Sequence, residues 1–373
     1  MAGELGLLNS FRSRVAAPLQ NYRGNDSVGG RDISLEEFMQ TRAVNEAGEP
    51  KGLKNAAGEP ITMEDLWCDL GLDPSRITLE NLLSLSDDTR YLAPEIIRDY
   101  IVKGLNADVS HLDLCSSAEN VDSLSVTSPW LQFQAERPVA TAEAENIAEA
   151  AMTWGAKTIT LKKKAIGLRI TDELRLSVKL PVLQPFLERV GVQLAVGWYK
   201  DAVTTLINGD QSDGSDSCGT YYNTTANTIA FADFLRAWVR GRQIAMQWTN
   251  MITTEAGANV VLNLDEFKTP LNTGGTAVTL RSRNRIVPQN VEHFISADMT
   301  ADNYMLFDRR YAMQFLQFRP VLVESERIVS RQIEGTFVSQ IGGFSTIDRA
   351  ARIILQKSAS TFAGFPAWTA PLY

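Results

Sequence analysis

Few side chains in this sequence could carry chemistry, and they are widely spaced. Only two histidines occur, His111 and His293, which removes most metal-ligand sets and most general-base schemes before geometry is considered. A histidine without such partners is expected to be a surface or packing residue. Cys68, Cys115 and Cys218 lie far apart without CxxC spacing. They read as free thiols in a reducing cytoplasm, with neither a disulfide framework nor a zinc site. No GxSxG elbow, GxxxxGK[ST] loop or GxGxxG turn is present, so neither a nucleophile with its base nor a phosphate cradle is indicated. The run from Asn208 to Asp216 superficially resembles a calcium loop. It lacks the closing glutamate at the required offset, and a solvated loop is the plainer expectation. The expectation is therefore no catalytic residue, no cofactor and no metal.

Two charged stretches remain. Glu143, Glu145 and Glu149 form an acidic segment, and Lys162, Lys163 and Lys164 a basic one. Glu143 and Glu145 could be imagined as an acid/base pair, but on a strand they share a face, and charge matching against the lysines is the simpler use. Three lysines without interleaved aromatics make a weak nucleic-acid footprint. All six residues are therefore candidates for contacts between subunits, with a contact to DNA or another partner as the lesser reading of the lysines.

The elements that must position these residues follow from periodicity. The first ninety residues or so are rich in Gly, Asn, Asp and Glu. Ser34 and Glu37 form a capping box that opens a short helix through Gln40, and Asn45–Pro50 is echoed by Asn55–Pro60 as a repeated turn. Thr89 to Leu105 has apolar residues at three- and four-residue spacing, the pattern of an amphipathic helix. Leu124 to Ser177 reads as β structure interrupted by small and acidic residues, and Ile159, Leu161, Ile166, Leu168 and Ile170 alternate with period two on either side of the lysines, which predicts a long half-exposed strand in an extended hairpin whose acidic limb faces its basic limb. A hairpin of this size is marginal in water by itself, so docking on a neighbouring subunit is expected.

Pro181 to Asn208 carries the strongest helical stripe, Leu183, Phe186, Leu187, Val190, Leu194, Trp198, Ala202 and Leu206, with Gly209 at the stop. Such a helix spans roughly 40 Å. Gly191 and Gly197 inside it weaken helix propensity and permit close packing. Phe231 to Asn250 predicts a second helix, with Phe234, Leu235, Trp238, Val239, Ile244 and Trp248 on or near one face. Val260–Leu264 and Ile295 fall in runs consistent with buried strands, joined through the turn-rich Leu271–Gly275. Val321–Val323, Phe337–Ser339 and Ala351–Leu355 read as closing strands, and the tail from Ser358, with its prolines, as irregular.

A 373-residue chain with 44% apolar residues can bury a sizeable core. Its 44 acidic and 36 basic side chains leave a net charge of -8, which disfavours tight wrapping of a phosphate backbone. Met1 to Phe11 has no charged segment followed by a long apolar core, and no stretch approaches 18 uninterrupted apolar residues. A soluble cytoplasmic protein without a membrane partner is expected.

Taken in order, Trp154–Leu174, Leu183–Gly191 and Lys200–Asp210 resemble the central region of HK97-like major capsid proteins of tailed bacteriophages. The order of elements matches over about residues 89 to 357. The resemblance implies an α+β fold: an N-terminal arm (1–90), the start of a peripheral domain (91–121), an extended β-hairpin loop (122–172) and a peripheral segment with a long spine helix (173–210). An axial domain (211–318), closing strands of the peripheral domain (319–357) and a C-terminal tail (358–373) follow.

It further implies a structural, non-enzymatic subunit that self-assembles as hexamers and pentamers into an icosahedral head around double-stranded DNA. That DNA would be touched weakly and non-specifically, and scaffold, portal and decoration proteins would be partners. The protein would assemble in the host cytoplasm and reside in the virion. An encapsulin-type compartment shell has a similar fold, but the long polar leader favours the phage reading. A cytoplasmic α/β enzyme is the alternative from a different class.

Overall fold

The computed structural model of the chain describes residues 27–28, 31–32, 40, 60, 62, 92–106, 110–130, 153–171, 173, 180–210, 216–264, 285–287, 291–328, 330 and 333–357. Ahead of the main elements, Ser27–Val28 pairs antiparallel with Arg31–Asp32. The main elements are then α1 (Leu92–Leu105), β1 (Ala118–Asn120), β2 (Ser125–Trp130), β3 (Thr153–Thr160), β4 (Lys162–Thr171) and α2 (Leu180–Asn208). These are followed by β5 (Gly219–Tyr222), α3 (Phe231–Gln243), β6 (Asn250–Thr253), α4 (Glu255–Leu262), β7 (Arg285–Val287) and β8 (Val291–Ile295). β9 (Asn303–Phe307), β10 (Met313–Ile328), β11 (Ile333–Thr346) and β12 (Arg352–Gln356) complete the α+β fold.

The chain divides into two compact units. The first comprises Met1–Ser110, Lys162–Trp198 and Gln317–Gly342. Here β4 pairs antiparallel with β11, Lys162 opposite Gly342 through to Thr171 opposite Ile333. The helices α1 and α2 cross backbone to backbone. A Cβ built on Gly191 would lie 2.1 Å from the Ile101 carbonyl oxygen, and one on Gly104 would lie 2.0 Å from that of Glu188. Only glycine fits at either point. Gly197 differs: its Cβ would meet Lys164 at an ordinary 3.7 Å. The α2 stripe buries Leu183, Leu187, Leu194 and Trp198 in this unit, whereas Phe186, expected on the same face, is 64% exposed. Counting turns assigned Phe186 to the buried arc, but the backbone contact at Gly104 and Gly191 sets the helix's rotation.

The second unit comprises His111–Leu161, Tyr199–Leu316 and Gly343–Tyr373. Its six-stranded sheet has the order β5-β12-β9-β6-β8-β7. β12 lies between β5 and β9, so Ala351–Leu355 joins strands from the 211–318 stretch. The helices cover a core that includes Phe234, Trp248, Val261, Tyr304, Leu306 and Ile353.

Three expectations about this unit are corrected. The helix expected over Phe231–Asn250 stops at Gln243, and Asn250 begins a strand. Ala245 takes the left-handed region at φ 59°, and the chain turns back so that Trp248 lies on Gly241 and donates from Nε1 to the Ala237 carbonyl at 2.7 Å. Val260–Leu264, read as strand, instead belongs to and follows helix α4. The Thr254 hydroxyl caps it by accepting from the Gly257 N–H at 3.1 Å, and capping outweighs the β preference of the two valines. Ile295 does end a strand, β8, but is 58% exposed instead of buried.

Candidate assembly surface

The basic stretch stands where a strand changes partner. Thr158 and Thr160 are exposed and Ile159 and Leu161 buried, the alternation expected of a half-covered strand. Up to Thr160 the partner is β2, with Ser125 opposite Thr160 and Val126 opposite Ile159. Leu161 donates its N–H to the Leu124 carbonyl at 3.0 Å, and its side chain fills the space that a Cβ on Gly343 would need. From Lys162 onward the partner is β11. The single long strand read from the sequence is therefore two strands sharing one alternation.

The basic limb has a strand partner of its own. Lys162, Lys163 and Lys164 stand opposite Gly342, Ile341 and Gln340, so the strand partner of the basic limb is β11. The acidic candidates Glu143, Glu145 and Glu149 lie outside the described residues, as do Cys68, the capping box at Ser34 and Glu37, the repeated turns except Pro60, Leu271–Gly275 and the C-terminal tail.

The structure also divides the three lysines by role. Lys164 turns toward α2, donating from Nζ to the Gly197 carbonyl at 2.8 Å and standing 5.3 Å from the Trp198 ring centroid. The Trp198 indole in turn donates to Gln340 Oε1 at 2.7 Å. A cation on a tryptophan face with a hydrogen bond to a helix carbonyl is an internal tether. Lys162 and Lys163 are exposed. Along β4 the exposed positions Lys163, Ala165, Gly167, Arg169 and Thr171 alternate with the partly buried Lys164, Ile166 and Leu168. Over Gly167 and Gly335 lies the Phe337 ring, about 3 Å from where a Cβ would stand at each. Among the described residues β4 is the outer strand of the order β1-β10-β11-β4, so a basic, partly apolar sheet face ends at an edge. The hairpin β2–β3 forms a sheet of its own, with no third strand among the described residues.

The candidates for reaction chemistry serve as structure. His111 is buried edge-on against Phe315 and Phe344, with centroids 4.6 and 6.0 Å away. Burial pulls its pKa down to about 3. His293 shares a hydrogen bond of 2.6 Å with the Thr253 hydroxyl, and burial lowers its pKa to about 4. Both rings are therefore neutral at pH 7. Cys115 and Cys218 are free thiols. Burial raises both, Cys218 to about 12, which keeps it from being a ready thiolate.

The loop compared with a calcium site is not simply solvated. Residues 211–215 lie outside the described residues, but Asp216 is buried and pairs with the fully buried Arg352 at 2.9 Å. Arg352 also donates to the Thr205, Leu206 and Asp216 carbonyls at 3.3, 2.9 and 2.9 Å. The Thr346 hydroxyl donates to Asp216, and its N–H donates to Asp210 at 2.9 Å. Arg352 thus caps the C-terminal end of α2, taking the Leu206 carbonyl and sharing the Thr205 carbonyl with the Gly209 N–H, which donates to it at 2.8 Å. The only sequence signal for this knot was a charge inside an apolar strand. Among the described residues no group of three His, Cys, Asp or Glu is placed to hold a metal ion, and no helix is long and apolar enough to cross a membrane.

No family model and no curated protein matches the chain. Among solved structures, it is similar to the capsid of an empty GTA particle at 15% identity and TM-score 0.49, over 67% of this chain and 90% of that one. It is similar to a phage-related protein from Bordetella bronchiseptica at 8% identity and TM-score 0.48, over 71% and 97%. To a virus-like particle from Pyrococcus furiosus the identity is 12% and the TM-score 0.47, over 70% and 98%.

Proposed function

We propose that this chain is a major capsid protein of the HK97-like class, a structural subunit that assembles into the icosahedral head of a tailed bacteriophage. The observation that carries the reading is the hairpin β2–β3, a two-stranded sheet unsupported by a third strand among the described residues. Two strands alone are marginal in water. Sister molecules that cover the hairpin supply the missing burial, and a closed shell multiplies each modest contact by its copy number. The sequence resemblance over Trp154–Leu174 and Leu183–Gly191 supports the same reading.

In this reading residues 122–172 are the extended loop and 1–90 the arm, with peripheral and axial domains built from the rest at the boundaries given above, except that Arg352–Gln356 goes with the axial sheet in which it pairs. Lys162 and Lys163, exposed on the outer strand, receive Glu143, Glu145 and Glu149 of a neighbouring copy, while Lys164 serves its own subunit. Edge lysines also discourage indiscriminate strand addition, which leaves the selective contact as the favoured one. The subunits form hexamers and pentamers, and double-stranded DNA is enclosed with weak, non-specific contact, consistent with the net charge of -8. Scaffold, portal and decoration proteins are the further partners, assembly takes place in the host cytoplasm, and the subunit catalyses no reaction.

Electron microscopy of the purified protein tests this directly. Uniform icosahedral shells are expected, holding DNA when taken from particles. A protein that stays monomeric at high concentration in every condition tried would overturn the reading, and shells that hold enzymes would replace it with an encapsulin-type compartment.

A further inference from the structure

The six-stranded sheet carries α3 and α4 side by side on one face: the Phe234 ring of α3 stands edge-on to Tyr304 at 5.7 Å, and Gly257 of α4 leaves only 3.3 Å between a built Cβ and the same tyrosine. The outward arcs of these helices differ in charge. On α3, Leu235 and Val239 are each 45% exposed, one helical turn apart, with Arg236 and Arg242 exposed beside them. The helix's one carboxylate, Asp233, is buried and accepts from the Ala230 N–H and from the Thr224 N–H, both at 3.0 Å. The outer face of α3 is therefore aliphatic and purely cationic.

α4 is its counterpart. Glu255–Leu262 contains no lysine or arginine, Glu255 is exposed in its first turn, and Val260 is 39% exposed. Ile295, 58% exposed, ends the strand beside β6, where the Ser296 N–H donates to the Thr253 carbonyl at 2.9 Å. This face is aliphatic and anionic. Exposed aliphatics ringed by arginine on one side and carboxylate on the other have the make-up of two halves of one interface.

We propose that the outer face of α3 in one copy meets the outer face of α4, together with Ile295, in a second copy. The inference rests on the shell reading and names one of its contacts. Leu235 and Val239 pack on Val260 and Ile295, and Arg236 and Arg242 flank Glu255. Because the contact joins two different patches, each copy brings one half to every such junction.

Mixing two variants tests the pairing whatever the symmetry of the assembly. Leu235→Asp with Val239→Asp damages the first half, and Val260→Asp with Ile295→Asp the second. By light scattering and sedimentation, each variant alone is expected to need at least about tenfold more protein to associate than the wild type does. An equimolar mixture is expected to form one-to-one complexes, because one intact half of each kind is then present. Circular dichroism checks folding, and serine at the same four positions replaces aspartate if an aspartate variant fails to fold. Normal shells from either variant, or a mixture that stays as silent as its components, would overturn the pairing while wild-type shells keep the shell reading intact. A wild-type protein that never associates would overturn both.

Discussion

Gly191→Ala is the sharpest test of the packing, because two known effects predict opposite signs. On an exposed helix position alanine is favoured over glycine by roughly 1 kcal/mol. At Gly191, however, the new methyl would stand 2.1 Å from the Ile101 carbonyl oxygen, 2.8 Å from the Leu105 nitrogen and 3.0 Å from the Gly104 Cα, all backbone atoms that cannot rotate away. Restoring an ordinary 3.4 Å contact requires α1 and α2 to part by about 1.3 Å. A gap of that order forfeits much of the dispersion energy of side chains buried on the two helices, among them Ile101, Leu105, Leu187 and Leu194. Overpacking of this kind costs roughly 1 to 3 kcal/mol, and loss of the neighbouring contacts brings the total toward the upper end. After the propensity gain, a net loss of about 2 kcal/mol is expected, or a fall in melting temperature of roughly 4 to 8 °C for a unit of this size. Gly197→Ala is the internal control. The same helix meets there only the Lys164 side chain at 3.7 Å, so the variant should be neutral or stabilised by up to about 1 kcal/mol. Thermal and urea unfolding followed by circular dichroism reads both. A Gly191→Ala protein as stable as the wild type, or two variants that shift together, would refute the backbone-contact argument.

Three further outcomes follow from the same structure. Arg352→Met should cost about 3 to 5 kcal/mol in urea unfolding, because it strands the buried Asp216 carboxylate and uncaps the end of α2. Asp348→Asn should stabilise the protein at pH 7 and flatten its pH dependence. Burial raises the Asp348 pKa, so the folded state binds the proton more tightly than the unfolded chain does, and stability falls as pH rises through the carboxylate range. The asparagine oxygen can still accept from the Ala350 N–H, a bond of 2.8 Å, and a melting temperature that drops equally at pH 4 and pH 7 would contradict this account. Lys162→Glu with Lys163→Glu should lower shell yield while leaving subunit unfolding within about 0.5 kcal/mol; Lys164→Ala should do the reverse, lowering subunit stability through the lost contacts to Trp198 and the Gly197 carbonyl.

The elements that sequence reading located well are those whose burial is decided locally. α1 and α2 begin and end within three residues of the expected limits, since a repeated three-and-four spacing and a terminal glycine act within a turn or two. Reading failed where a cap or a left-handed residue outweighed side-chain preference. Val260 and Val261 suggest a strand, but Thr254 holds the first turn of a helix; and the apolar pattern running on through Trp248 hides the reversal at Ala245. Gly191 and Gly197 were indistinguishable in sequence. What separates them is which atoms of another segment approach, and no local pattern encodes that.

The same limit governs the candidate surface. Period-two alternation revealed β3 and β4 but could not reveal the exchange of partner at Leu161, because alternation is conserved when a strand leaves one neighbour and joins another in phase. Three consecutive lysines likewise read as one basic feature. Consecutive residues on a strand point to opposite faces, so Lys164 necessarily serves a different face from Lys163, and the presence of Trp198 on that face converts it from a surface charge to a tether. The two lysines left exposed on the outer strand then present their charge at a position their own register partners, Gly342 and Ile341, cannot neutralise. A cation so placed costs little while solvated; if, as proposed, a neighbouring copy brings the carboxylate, its contribution belongs to assembly and should be absent from the unfolding of a single subunit.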